Sequence, residues 1–281
     1  MTSVFFENKG LLSSLLKGIC YVSDINDRHV TDITSDSREV TRGSCFFALE
    51  GSTESGSDYA NDAVNRGAVA IIYEKPPLVY PPSEVVYFVV PKVKETLGEV
   101  SKRFFGNPSK YLNLYAVTGT NGKTTVSYLI SKALGILEGT CGYIGTLGLG
   151  LSDSRRLTET QNTTPDIITI NRALKSFVCA GANSCALEAS SIGISQGRLT
   201  SLDIDTALYT NLGHDHLDFH GTWEQYFAAK AQLFENMPED GVAVVNLDDP
   251  MAAKLIRRTR ARVLTYGYDE AAQVRLRQVE P

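Results

Sequence analysis

Residues 117–125 read VTGTNGKTT, with Gly119 and Gly122 ahead of Lys123 and Thr124. Glycines at that spacing let successive backbone N–H groups of Gly119, Thr120, Asn121 and Gly122 curl around an oxyanion. A helix opening at Lys123 adds the partial positive charge of its first turn. Lys123 is then placed to reach β- and γ-phosphates and Thr124 to touch Mg²⁺, with Thr125 the last of the nucleotide-binding residues expected in this run. The pattern departs from the strict phosphate-loop consensus at Val117, where that consensus has glycine. The chemistry expected here is the handling of a nucleoside triphosphate.

A second cluster, NLGHDHLDFHGT from Asn211, holds His214, His216 and His220 with Asp215 and Asp218. His-x-His-x-Asp-His would suggest a two-metal hydrolase, but Phe219 stands where the third histidine belongs. With a phosphate loop already in the chain, His216 completing a magnesium site is the better fit, and the other histidines serve as hydrogen-bonding groups of the turn. Glu188 ends the apolar run SCALE, and a carboxylate at a strand end beside a phosphate site is a natural ligand of a hard cation. Lys230 interrupts the helical stripe of Trp223, Tyr226, Phe227, Leu233, Phe234 and Met237. A lysine buried in that stripe loses its charge readily, and its neutral amine could capture CO₂ as a carbamate, turning a cation into an anionic metal ligand.

These residues need strand ends and helix starts to hold them. Short apolar runs at 45–49, 68–73, 85–90, 114–117, 184–190, 206–212, 241–247 and 262–268 alternate with helical patterns. That alternation predicts an α/β chain with a mostly parallel sheet flanked by helices. Two glycine-rich segments through about Leu151 read as a hairpin, and Thr222 with Gln225 forms a capping box. Thr164 is expected to cap a helix whose first residue is Pro165. A domain boundary is set near residue 91, giving an N-terminal domain over 1–90 and a nucleotide domain over 91–281.

The chain has 281 residues, 43% of them hydrophobic and 21% charged, with a net charge of −5. That balance predicts a soluble globular protein and argues against a general nucleic-acid grip. The run LLSSLL at 11–16 is too short to span a membrane, and five cysteines without a C-x-x-C pair suit a reducing cytoplasm. The final residues, QVRLRQVEP, read as strand with no closing helix, the pattern expected of a domain cut short.

The segments TGTNGKTT, LEASSIG, TNLGHDHLDFHGTWEQYFAAK and VVNLDD, in that order, resemble the Mur ligases, most closely their MurE branch. SDSREVTRGSCFFALEG followed by DYANDAVNRGAVAII looks like the uridine-nucleotide domain that MurE and MurF share. The resemblance implies ATP-dependent amide-bond formation with Mg²⁺: a diamino acid, meso-diaminopimelate or lysine, joined to UDP-MurNAc-L-Ala-D-Glu through an acyl phosphate. It implies that Glu188 and His216 bind magnesium, that Thr124 meets the ATP-side ion, and that Lys230 is a carbamylated ligand. It assigns the UDP-substrate to Ser37, Arg38, Ser52, Thr53, Glu54, Thr163, Thr164, Ser190, Gln196 and Arg198. Ile192 and Gly197 stand where many MurE chains have histidine. The family's C-terminal domain, which takes the diamino acid, has no counterpart in the sequence. Two other readings remain open: MurF or a folylpolyglutamate-type ligase on the same core, and a polypeptide that binds its substrates without joining them.

Overall fold

Four short strands, β1 (Asp32–Thr34), β2 (Ser44–Phe47), β3 (Ala70–Tyr73) and β4 (Val86–Val89), pair in sequence order as one parallel sheet. The computed structural model describes residues 10–51, 55–77, 80, 82 and 84–277, which divide into two units between Asn107 and Pro108. Helices α1 (Leu12–Leu15), α2 (Ala60–Asn65) and α3 (Val93–Phe104) complete the first unit. Its core gathers Val40, Phe46, Ala63, Ile71 and Tyr73. The division falls after α3, not at residue 91. Arg103 of α3 explains why: it donates to the carbonyls of Leu15 and Lys17 at 2.8 and 2.7 Å, and Glu99 holds its Nε at 2.8 Å. The helix is thereby tied to the first unit.

The second unit is built on β5 (Asn113–Thr118), β6 (Cys141–Gly145), β7 (Gly148–Leu151), β8 (Ser184–Glu188), β9 (Thr206–Tyr209), β10 (Val242–Asn246), β11 (Arg262–Gly267) and β12 (Val274–Arg275). Their spatial order is β12-β11-β10-β9-β5-β8-β6-β7, parallel throughout except for the β6–β7 hairpin. Helices α4 (Lys123–Leu137), α5 (Ile167–Cys179), α6 (Ser191–Ser195), α7 (Leu217–His220), α8 (Trp223–Glu235) and α9 (Ala252–Ile256) provide the crossovers and flanks. Strands β6 and β8 are buried along their whole length, as expected of parallel strands covered on both faces. The chain steps from β5 to β6 and β8 on one side, then to β9, β10 and β11 on the other. Such a reversal opens a crevice at the carboxyl ends of the strands, where ligands of open α/β sheets gather. The loops after β5, β8 and β9 all end there.

Local chemistry fixes the helix starts. Thr222 accepts from Gln225 N at 3.2 Å and caps α8 as expected. Helix α5 departs from expectation: its cap is Asp166, whose carboxylate accepts from Ile168 N and Thr169 N at 3.0 and 2.9 Å. An anionic cap with two amides in reach outcompetes a hydroxyl at a helix N-terminus. The hydroxyl of Thr164 is left free to turn toward β8. Replacing Asp166 by Ala should cost about 1 kcal/mol of stability, the usual loss for such a cap. The shift of the urea midpoint measures it, and an unchanged midpoint would mean the cap bonds do not form in solution.

Candidate active site

The turn from β5 into α4 depends on glycine at two points. Gly122 sits at φ +85° as the cap of α4, and no side chain caps that helix. Gly119 sits at φ +149°, and a Cβ there would fall 1.8 Å from Thr210 Oγ1. The close approach has a purpose, since the segment after β9 braces the loop. Thr120 N donates to Asn211 O at 2.8 Å, and Asn121 N donates to Asn211 Oδ1 at 3.0 Å. Thr210 Oγ1 and Asn211 Nδ2 both donate to Asn121 O, at 2.6 and 3.1 Å. Gly213 N reaches Thr120 Oγ1 at 2.8 Å, and Tyr226 OH lies 3.0 Å from the same oxygen. The amides of Thr120 and Asn121 are therefore engaged by Asn211. The first turn of α4, at Lys123, Thr124 and Thr125, begins without a side-chain cap, and amides so placed are the ones a helix N-terminus offers to an anion.

Lys123 folds back over this loop, donating to Gly119 O at 3.0 Å and Thr120 O at 2.9 Å. Burial lowers its pKa, an effect that Glu188 and Asp215 partly offset. Lys230 arrives from α8 at the same carbonyl: its Nζ donates to Gly119 O at 2.7 Å and sits 4.5 Å from the centre of the Tyr226 ring. Only 1% of Lys230 is exposed. Burial first, and the Lys123 ammonium second, bring its pKa down to about 7. A buried lysine in the apolar stripe of α8 was the expectation from spacing, and this is where the stripe leads it.

Glu188 is fully buried at the end of β8. Its Oε1 accepts from Tyr143 OH at 2.7 Å and Thr146 N at 2.8 Å, while Oε2 accepts from Thr124 Oγ1 at 2.8 Å and Thr146 Oγ1 at 3.2 Å. Gly145 makes room, since a Cβ there would lie 2.2 Å from Glu188 Oε1. Beyond Glu188 lie the residues expected to take the UDP-substrate. Thr146 Oγ1 is 3.1 Å from Thr163 Oγ1, and Thr164 Oγ1 donates to Glu188 O at 2.7 Å and to Ser190 Oγ at 3.0 Å. Arg198 donates to Thr164 O and to Gln196 Oε1, each at 2.6 Å, and its burial lowers its pKa. Thr163, Thr164, Ser190, Gln196 and Arg198 thus form one network behind the carboxylate. Ser37 and Arg38 belong to the first unit, where Arg38 is exposed and paired to Asp36 at 2.6 Å. Ser52, Thr53 and Glu54 lie outside the described residues.

His216 takes φ +51° just before α7, exposed, with its ring 6.4 Å from that of Tyr226 and its Nε2 3.5 Å from Asp215. His220 is the buried histidine of the cluster. Its ring lies against Phe219 and Tyr226 at 4.9 and 5.3 Å, and among the described residues its Nε2 has no hydrogen-bond partner. Among the described residues no three His, Cys, Asp or Glu side chains converge. Thr146, Tyr143, Asn211 and Tyr226 were not singled out from sequence. The pair of glycines around GYIGT was the one available signal for the first two.

The family profile of the Mur ligase middle domain matches residues 117–281, and that of the Mur ligase catalytic domain matches residues 29–105. The chain belongs to the Mur ligase family. Among curated Mur ligases, the UDP-N-acetylmuramoyl-L-alanyl-D-glutamate–2,6-diaminopimelate ligase of Pseudomonas syringae pv. tomato is 43% identical over 243 residues, 86% of this chain and 49% of that protein. The Chlamydia pneumoniae protein of the same name is 37% identical over 271 residues, 96% of this chain and 55% of its own. A solved structure of a ligase so named superposes with a TM-score of 0.76 at 37% identity, covering 87% of this chain and 50% of that one. MurF from Acinetobacter baumannii shares the fold, with a TM-score of 0.60 at 20% identity over 85% of this chain and 48% of its own. The chain spans about half the length of the curated relatives it matches.

The Lys230 environment of this Mur ligase makes a pH prediction. Its pKa falls from the ordinary 10.5 to about 7 on folding, so between those values the unfolded chain binds more protons than the folded one. Unfolding free energy therefore rises with pH in that window. Denaturant titrations from pH 7 to about 9 should show the rise in wild type, and Lys230→Met should flatten it. Equal slopes in both would contradict the assignment.

Proposed function

We propose that this chain is the substrate- and nucleotide-binding part of an ATP-dependent ligase of peptidoglycan precursor synthesis. In this reading ATP phosphorylates the terminal carboxylate of UDP-MurNAc-L-Ala-D-Glu, and the amine of a diamino acid attacks the acyl phosphate. The relatives' names give that acid as 2,6-diaminopimelate. The observation that carries the proposal is the contact between the phosphate loop and the strand-end carboxylate, Thr124 Oγ1 to Glu188 Oε2 at 2.8 Å, with two lysine side chains converging on Gly119 O.

Each group has a task that follows from its chemistry. The open N-terminus of α4 and the Lys123 ammonium bind the β- and γ-phosphates. Lys123 leaves the carbonyls of Gly119 and Thr120 for the phosphate oxygens, its charge offsetting that of the transferring phosphoryl group. Arg198, with Thr163, Thr164, Ser190 and Gln196, binds the acidic end of the precursor. Ser37 and Arg38, with Ser52, Thr53 and Glu54, are proposed to hold its uridine nucleotide. The donor set around Glu188, a buried carboxylate among threonine hydroxyls, is all oxygen and suits a hard divalent cation. Mg²⁺ would be held there by Thr124 and Glu188 and when bound would offset phosphate charge; His216 and a carbamate on Lys230 are proposed as further magnesium ligands on the family resemblance alone. The lowered pKa of Lys230 supplies the neutral amine that a carbamate requires. No helix among the described residues is long and apolar enough to cross a membrane. The cytoplasm, where ATP and UDP-linked precursors meet, is the compartment this reading assigns.

Titration calorimetry with ADP and Mg²⁺ tests the nucleotide site. Lys123→Ala should weaken binding about tenfold or more, on the order of 1.4 kcal/mol. UDP-MurNAc-L-Ala-D-Glu should bind more tightly than the corresponding tripeptide precursor. Unchanged ADP affinity in the variant, or a preference for the tripeptide, would overturn the proposal.

A further inference from the structure

The two oxygens of Glu188 do not meet equivalent partners. Oε1 accepts from a backbone amide, Thr146 N at 2.8 Å, and from a phenol, Tyr143 OH at 2.7 Å. Among the described residues Oε2 accepts from the threonine hydroxyls of residues 124 and 146, at 2.8 and 3.2 Å. A hydroxyl both donates and accepts, so it can turn a lone pair toward a cation that takes its place on the carboxylate. A backbone amide has no such freedom. The phenol has little, because Tyr143 is 1% exposed and its ring meets Tyr128 edge-on, with centroids 5.6 Å apart at 89°. Residue 143 pairs with Ala186 across β6 and β8, so its side chain reaches up one strand toward the end of the next. It passes through the space that Gly145 leaves: a Cβ on that glycine would sit 2.5 Å from the phenol oxygen.

We propose that Tyr143 is a positioning residue: it pins Oε1 of Glu188 and so presents Oε2 to the divalent cation beside Thr124. Burial and the adjacent carboxylate both raise the Tyr143 pKa, which keeps the phenol a donor throughout the neutral range. The inference rests on the metal-and-nucleotide reading of this site and adds to it a residue from outside the phosphate loop. Partners of this kind set the orientation of a ligating carboxylate, and their loss commonly costs ten- to a hundredfold in metal affinity.

The test is a double-mutant cycle read by ADP binding, with Mg²⁺ varied and with chelator present, below the unfolding onset of the least stable variant. Tyr143→Phe keeps the ring and removes the hydroxyl. It should raise the Mg²⁺ concentration for half-maximal ADP binding about tenfold while leaving ADP affinity in chelator unchanged. In a Glu188→Gln background the same substitution should add less than about twofold, because the group it acts through is gone. A wild-type Mg²⁺ requirement in Tyr143→Phe, or a full additional loss on top of Glu188→Gln, overturns the inference and leaves the nucleotide site standing. ADP binding that ignores Mg²⁺ in wild type overturns both.

Discussion

Two lysine amino groups share one carbonyl oxygen in this protein. Lys123 and Lys230 both donate to Gly119 O, at 3.0 and 2.7 Å, and among the described residues neither has a carboxylate in ion-pair range. Two like charges withdrawn from water and brought to one acceptor are costly unless one loses its proton or an anion arrives. Burial and mutual repulsion point to the first outcome for Lys230 in the free protein. A polyphosphate at the open end of α4 would supply the second. The rest of the site can be understood as scaffolding that keeps these two lysines in place.

That scaffolding comes from the sheet. Strands β5, β8 and β9 lie side by side with β5 in the middle, and their carboxyl ends deliver the phosphate loop, Glu188 and the Thr210–Gly213 brace to one crevice. The brace holds the loop through backbone and side-chain bonds from Thr210, Asn211 and Gly213, so the glycines bend without being free to wander. Helix α8 closes the other side, with Tyr226 touching Thr120 through its hydroxyl and carrying Lys230 Nζ on its ring face. One aromatic residue thus couples the phosphate loop to the buried lysine.

Much of this was legible in the sequence because it is local. The strand–glycine–lysine order of β5 and α4 declares itself within ten residues, and the burial of Lys230 follows from the apolar stripe that surrounds it at helical spacing. What stayed hidden depends on contacts between distant segments. Tyr143 reaches Glu188 across 45 residues of chain, and Tyr226 reaches Thr120 across 106. Periodicity cannot rank such partners. The same limit explains two corrections. A threonine before proline looked like a helix cap until Asp166 was seen to take both amides. The domain boundary was set before a helix that Arg103 ties to the first unit.

If two lysines compete for one carbonyl, arrival of a polyanion must raise the proton affinity of the one that had given its proton up. The direct measurement is proton uptake on binding metal-free ADP near pH 7.5. It is obtained by calorimetry in bicarbonate-free buffers of differing ionisation enthalpy, for wild type and Lys230→Met. The account predicts a fractional uptake in wild type that is lost in the variant. Equal proton uptake in the two proteins, or none in either, would contradict it.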